Sequence, residues 1–410
     1  MKNERRPSLG AIFLTVTLDL LGFGLVMPFL AEEARTTFHS TAFVGTLLSA
    51  VYSLMQFVFV PVWGRLSDRI GRRPVLLWSI GATALSMGGL GLGLAFGGSI
   101  AWLFAARIFS GIATANLGTA SAYIADVTKP AERARGMALI GMAFGLGFIL
   151  GPAVGGALAE FTIHGRHGAL ACFVAAGLSV VNLVWAMLGL GESLGAEQRA
   201  IAQRTPRSLA PLSLRAARSA FERPGVGLAV LVNFIGVLSF ANLDQTFRYF
   251  NKDVFGMTPR ETGGVLAFIG IVAAATQGGI VRPLSKTVAD RSLLRSGLFL
   301  QVLAFAGLVL APDFGRWALY LSGGVLAVGN GLTQPSVAAY VSKRADPAAQ
   351  GATLGTNQAA AALGRVLGPA FGGLVYGAIG PRSPYAAAAI GMAVALGVTA
   401  AMREEEMVAR

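Results

Sequence analysis

Few side chains in this sequence are equipped for chemistry, and most of those lie inside apolar runs. Asp19 falls about ten residues into the run 9–30, roughly 15 Å deep at the helical rise. A carboxylate at that depth is expensive and by default marks a functional interior position; a structural ion pair facing a helix bundle is the plainer alternative. At helical spacing its face continues through Gly22, Phe23, Val26 and Met27. Arg107, in Leu103-Phe-Ala-Ala-Arg-Ile-Phe-Ser-Gly111, lies roughly 9 Å from the outer end of its own run. If the faces agree, the two long side chains meet, and a carboxylate held by a permanent cation yet opposed by desolvation couples proton uptake to shape. Asp244 and Arg248 stand four apart on one face, a pair that neutralises itself and suits an outer gate or a proton site. The amides Gln277, Asn330, Gln334 and Gln358 suit ligand orientation and interhelical hydrogen bonding equally. Arg365, on the face of Gln358 near the middle of its run, requires an anion if buried. Phe23, Met27 and Phe240 would give a cavity a lipophilic lining, although such residues line any buried helix.

The elements that must carry these groups are set by composition. Charged residues make up 13% of the chain and hydrophobic ones 54%, against about 25% charged in soluble domains. Apolar runs of span length fall at 9–30, 42–64, 74–96, 100–125, 134–160, 167–190, 225–247, 262–281, 294–312, 316–341, 351–378 and 384–402. The expected fold is an all-α membrane protein of twelve transmembrane helices in two pseudo-symmetric six-helix halves. The halves are 1–190 and 225–410, joined by a cytoplasmic linker over 191–224 in which Leu214, Ala217 and Phe221 suit a short helix on the inner leaflet, with a solvated helix or a disordered stretch as the alternatives. The first run is too long, and too soon followed by others, for a signal peptide.

The net charge of +13 is topology rather than a nucleic-acid patch. An even number of spans puts both termini on one side, and that side holds most of the 33 Lys and Arg, which makes it cytoplasmic. Cys172 is the one cysteine; His39 and His164 fall outside the runs and His167 stands at the very start of one. With no metal cluster, cofactor motif or nucleophile–base arrangement in the membrane, neither an enzyme nor a bound cofactor or metal is expected.

A duplication organises the chain. Gly147-Phe-Ile-Leu-Gly-Pro-Ala-Val-Gly-Gly156 recurs as Gly364-Arg-Val-Leu-Gly-Pro-Ala-Phe-Gly-Gly373, and the register extends back through Tyr123 and Tyr340. Glycines at i and i+4 let a second helix approach closely, and the following proline disturbs backbone bonding and bends the helix. Between the second and third runs lies Gly64-Arg-Leu-Ser-Asp-Arg-Ile-Gly-Arg-Arg73. Gly64 and Gly71 there permit a tight turn, and Asp68 can pair with Arg72 or cap a helix N-terminus.

That loop resembles the signature of the major facilitator superfamily, matched at Gly64, Leu66, Asp68, Arg69, Gly71, Arg72 and Arg73. The resemblance implies a latch on the cytoplasmic side, with Asp126 as a second partner for Arg72. The segment around Arg107 is similar to the family's proton-coupling motif, with Ser110 in place of the usual Gln. Gly147, Gly151, Pro152, Gly155 and Gly156 match the antiporter motif of the drug-exporting branch, and Leu18–Pro28 looks like the start of tetracycline-resistance-like exporters. Those exporters carry a membrane His and Asp where this chain has Ala273 and Gln301, which argues against tetracycline itself and leaves Asp19 and Asp244 as the only embedded carboxylates. Arg282–Arg291 is a worn copy of the latch, with Pro283 and Lys286 at positions of Gly and Asp.

The resemblance implies proton-coupled export of small lipophilic molecules by alternating access, from a monomer spanning a bacterial inner membrane many times. A proton-coupled carrier of an endogenous metabolite such as a sugar or amino acid stays open, as does a non-transporting receptor or scaffold of the same fold. The five Trp (Trp63, Trp78, Trp102, Trp185 and Trp317) sit near span ends, where interface anchoring explains them without a sugar site.

Overall fold

The computed structural model describes residues 7–27, 29–128, 133–195, 199–200, 225–344 and 350–402. Helices occupy each of the twelve apolar stretches. The first stretch holds α1 (Leu9–Val26) and α2 (Leu30–Thr36); α3 (Ala42–Ile70) and α4 (Arg72–Phe96) follow. The fourth stretch is split into α5 (Ile100–Ala113) and α6 (Leu117–Val127), after which come α7 (Arg133–Ala159) and α8 (Ala169–Gly189). Beyond the linker, α9 (Val226–Phe255) is followed by α10 (Pro259–Ala275), a wide turn at Thr276–Val281 and α11 (Arg282–Thr287). The last elements are α12 (Asp290–Phe314), α13 (Trp317–Arg344), α14 (Gln350–Ala378) and α15 (Ser383–Val398).

Helix is the only economical answer to these sequences, because in lipid each backbone polar group must be satisfied within its own segment. Ten of the stretches are long and apolar enough to cross a bilayer. The other two are α7, which holds the shorter apolar helix Gly145–Ala159 among the described residues, and α13, which carries Asn330 and Gln334. Ser8 caps α1 and Ser99 caps α5, while Gly97 (φ 74°) and Gly256 (φ 62°) end α4 and α9 in the left-handed conformation.

The chain forms two compact units. The first comprises 1–40, 51–211 and 259–263; the second comprises 41–50, 212–258 and 264–410. Two short helix starts belong to the opposite unit from the rest of their helices. The linker helix expected at Leu214–Phe221 lies outside the described residues.

The duplicated glycines have the same role in each unit. In the first, α7 lies against α1: a Cβ on Gly151 would meet Gly24 Cα at 2.6 Å, and one on Gly147 would meet Leu20 Cβ at 2.8 Å. In the second, α14 lies against α9: a Cβ on Gly368 would meet Leu238 O at 2.6 Å, and one on Gly364 would meet Leu238 N at 3.0 Å. Gly156 packs against Pro259 O and Gly263, the short α10 segment assigned to the first unit. Pro152 and Pro369 sit inside unbroken helices.

Candidate functional site

The centre of the first unit is built on the break in the fourth span. Helix α5 stops at Ala113, and the carbonyls this frees are taken up by side chains of neighbouring helices. Trp63 Nε1 donates to Ile112 O at 2.6 Å, Ser79 Oγ to Ala113 O at 2.5 Å and Gln56 Nε2 to Thr114 O at 3.4 Å. Non-helical backbone at membrane depth is tolerable only with such partners. The break releases Asn116, just before α6, to reach Asp19: Asn116 Nδ2 donates to Asp19 Oδ2 at 3.0 Å. From α8, Asn182 Nδ2 donates to Asp19 Oδ1 at 3.1 Å. Asp19 is therefore held by two amides, and Arg107 is not among its hydrogen-bond partners.

The meeting of Asp19 and Arg107 expected from sequence depth does not occur, because depth fixes height along a helix and not the face. Arg107 is buried on α5 with its Cζ 4.2 Å from the centroid of the Tyr52 ring, and Tyr52 stacks on Phe23 with centroids 5.2 Å apart. The Tyr52 hydroxyl shares a 2.8 Å hydrogen bond with Thr114 Oγ1, and Gln56 Nε2 donates to both oxygens. Phe23 of the expected lipophilic stripe thus supports the aromatic platform under Arg107. Met27, at the end of α1, is half-buried. Ser110 is not a cavity group here, since it donates to Ser86 inside the bundle.

Two carboxylates escaped the sequence reading. Glu32 and Glu33 on α2 are both buried, and Glu33 Oε2 accepts from Thr37 Oγ1 at 2.6 Å. Asp19 and Asp244 are thus not the only acids withdrawn from water; the first helical stretch continues past residue 30 to Thr36, carrying these two inward.

At the other end of the first unit, Arg72 gathers the signature loop. Its Nη1 lies 2.5 Å from Asp68 Oδ1 and 2.7 Å from Ser67 Oγ, and its Nε lies 3.2 Å from Asp126 Oδ2. The tight turn rests on Gly71 alone (φ 110°); Gly64 lies within α3, with open space where a Cβ would be. Arg69 and Arg73 flank Arg72 at the turn, and Arg73 Nη2 donates to Met187 O at 3.0 Å. A residue the sequence did not single out completes the cluster. Glu192 accepts the backbone N–H of Arg72 at 2.9 Å and of Arg73 at 3.3 Å, next to Ser193, which donates to Asp126. It closes the N-terminus of α4, where the helix presents unpaired donors and partial positive charge.

In the second unit, Asp244 and Arg248 do not pair. Asp244 Oδ2 accepts from Gln245 Nε2 at 2.7 Å, and Gln245 Oε1 accepts from Ser49 Oγ at 2.5 Å, in the part of α3 assigned to this unit. Arg248 Nη1 donates instead to Met257 O at 2.6 Å. Arg365 is exposed rather than buried, and so is Gln358 on the same face. Leu363, Leu367 and Phe371 form a separate exposed apolar stripe on α14, so Arg365 points away from the side suited to lipid. Gln277 is exposed in the wide turn after α10, and Asn330, Gln334 and Phe240 are half-buried. Gln301 is buried and donates to Thr333 Oγ1 at 2.7 Å, which gives it a packing role. At the worn second latch, Lys343 Nζ lies 2.6 Å from Asp290 Oδ2; the side chains of Arg282 and Lys286 are outside those described.

The family model for the Major Facilitator Superfamily matches residues 12–364 and 314–407. The chain belongs to the Major Facilitator Superfamily. It is 33% identical over 376 residues to the class C tetracycline resistance protein of Escherichia coli, covering 89% of this chain and 88% of that one. It is 26% identical over 407 residues to multidrug resistance protein 2 of Bacillus subtilis, covering 98% and 97%. Among solved structures it resembles the human organic anion transporter MFSD10 (TETRAN), with a TM-score of 0.69 at 24% identity over 95% of this chain and 98% of that one. Membership of this superfamily makes the chain a multi-pass membrane transporter of small molecules and not an enzyme.

Proposed function

We propose that this superfamily member exports small lipophilic molecules across the bacterial inner membrane in exchange for protons, by alternating access. The observation that carries the reading is Asp19, a membrane carboxylate held by amides from α6 and α8 at a broken span. Discontinuous helices near the midplane are where transporters of several folds place coupling ions. Its hydrogen bonds are to neutral groups, so protonation of Asp19 changes the net charge of the cluster instead of breaking an ion pair. Asp244 is a second candidate for the proton, and Arg107 on its aromatic platform is a fixed charge in the same half as Asp19. Arg72 with Asp68 and Asp126 forms the cytoplasmic latch, and the glycines of α7 and α14 are the surfaces on which α1 and α9 move. The tetracycline and multidrug resistance relatives favour export over uptake. Both termini lie in the cytoplasm, and the working unit is a monomer.

A second reading concerns the cargo. Arg365, exposed on α14 beside Gln358 and off the apolar stripe, suits a substrate carrying an anionic group. The structural neighbour described as an organic anion transporter favours the same chemistry. Reconstituted vesicles with an imposed pH gradient test both readings. Gradient-driven movement of lipophilic drugs that is lost in Asp19→Asn supports the first, and retention of full transport in that variant refutes the assignment of the proton to Asp19. Preference for organic anions that disappears in Arg365→Gln supports the second, while transport of sugars or amino acids alone refutes drug export.

A further inference from the structure

The third span of each unit opens on a buried charge, and the two charges are opposite in sign. Arg72, the first residue of α4, is held by Asp68 and by Asp126 in the last turn of α6, which ends the fourth span. The first residue of α12 is Asp290, also buried. Lys343, in the last turn of the fourth span of that unit, places its Nζ 2.6 Å from Asp290 Oδ2, an ion pair without the alignment of a hydrogen bond. The offset that brings Gly147 onto Gly364 also brings Asp126 onto Lys343. One residue further on, Asp68, Arg72 and Arg73 fall on Lys286, Asp290 and Arg291. Acid, base and acid have become base, acid and base, while the last arginine keeps both its sign and its task. Arg73 Nη2 donates to Met187 O near the end of the sixth span of the first unit. Arg291 Nε donates to Thr399 O at 3.1 Å and its Nη2 to Ala400 O at 3.0 Å, just past the sixth span of the second.

We infer that Asp290 and Lys343 form a second latch of inverted charge, which ties the third span to the fourth in the second unit as Arg72 and Asp126 do in the first. The segment before α12 is then no worn copy. A latch that decayed would strand one charge in the interior without its partner, at a high cost. Here both members have changed sign and still meet. The inverted polarity is also the one that helix ends favour. An acid at the start of α12 and a base at the end of α13 each oppose the partial charge of their own helix terminus. Arg72 and Asp126 stand at the wrong ends in that sense, and the first latch has the further acids Asp68 and Glu192 around the start of α4. One ion pair suffices where the dipoles agree with it. The part this latch plays in transport rests on the exporter reading above, whereas the latch itself does not.

The test is amide hydrogen exchange of the purified full-length protein, followed in peptides from the start of α12 and the end of α13, where local opening shows directly. Lys343→Gln is expected to speed exchange there several-fold and to leave peptides from the start of α4 unchanged, while Lys343→Arg keeps the native rates. Asp290→Lys and Lys343→Asp each set like charges face to face and should speed exchange further. Combined, they should regain most of the protection, falling short of the native protein because each charge then stands at the wrong helix end. Native exchange in Lys343→Gln overturns the latch, as does a double variant no better protected than either single one. If the charge-exchanged proteins do not fold, the comparison of Lys343→Gln with Lys343→Arg decides. Vesicle transport by the same variants tests the role: slowing in Lys343→Gln that Lys343→Arg restores supports it, and native turnover in Lys343→Gln overturns it. Failure of the native protein to move drugs would refute the exporter reading and leave the exchange result standing, so the two fail separately.

Discussion

The carboxylate of Glu192 accepts the backbone N–H of Arg72 at 2.9 Å, joining the segment that follows α8 to the start of α4. The same carboxylate reaches the N–H of Arg73, and Gly71 before them leaves no room for a side chain, because a Cβ there would collide with Glu192. Removal of an N-terminal cap costs about 1 kcal/mol. Glu192→Ala is therefore expected to lower thermal stability by that order and to slow transport, while Glu192→Gln, which keeps an accepting oxygen, loses less. Melting curves and vesicle uptake of the two variants check the order; equal losses would assign Glu192 a purely charge-based role.

Arg72 answers to two acids, so the members of the latch should not contribute independently. Asp68→Asn keeps a hydrogen-bonding group and leaves Asp126, and it is expected to slow transport while sparing expression. Arg72→Ala leaves Asp68 and Asp126 facing one another without their shared donor and is expected to cost more, on the order of 2 kcal/mol. Combining Asp68→Asn with Asp126→Asn should lose more than the sum of the single changes, because only the double variant leaves the buried Arg72 guanidinium without a carboxylate. Additive losses, or unchanged turnover in Asp68→Asn, would sink the shared latch.

Glycines in this chain divide by what surrounds them. A methyl at Gly151 would lie 2.6 Å from Gly24 Cα, and one at Gly368 would lie 2.6 Å from Leu238 O, so alanine there must push two helices apart. Overpacking of this kind costs about 1–3 kcal/mol. At Gly64, inside α3 with open space beside it, alanine is expected to stabilise the helix by roughly 0.5–1 kcal/mol. Melting temperatures of Gly151→Ala, Gly368→Ala and Gly64→Ala should fall, fall and rise.

The helices were legible because apolar runs of span length have one backbone solution, and the glycine repeat was legible because both copies kept their spacing. Arg72 and Asp68 were readable for a local reason: they are four apart beside a glycine. Glu192 was not, since its partner is 120 residues away and it stands in what reads as a linker. Asn116 and Asn182 were hidden differently. A neutral amide in an apolar run carries no strong signal, and whether it meets Asp19 depends on a helix break that propensity does not mark. Glu32 and Glu33 lay just past the point where hydropathy seemed to end the first span, although the helical stretch carrying them runs on to Thr36. The misplaced pairing of Asp19 with Arg107 came from reading height without azimuth.

Tyr52 is where that last correction becomes measurable. Its ring lies under the Arg107 guanidinium and against Phe23, while its hydroxyl binds Thr114 beside the break in the fourth span. Tyr52→Phe keeps the ring and removes only the hydroxyl, leaving Gln56 to hold Thr114 through the 3.1 Å bond from Nε2 to Oγ1. Tyr52→Leu removes both. A buried cation–π contact is worth about 2 kcal/mol and a neutral hydrogen bond about 1 kcal/mol. Tyr52→Phe is thus expected to lose about 1 kcal/mol of stability and most of its effect on transport should come through the break, whereas Tyr52→Leu should lose about 3 kcal/mol. If Arg107 works mainly as a charge for Asp19, the two variants will transport alike, since neither changes a charge; if it works through its aromatic platform, Tyr52→Leu will fail where Tyr52→Phe does not.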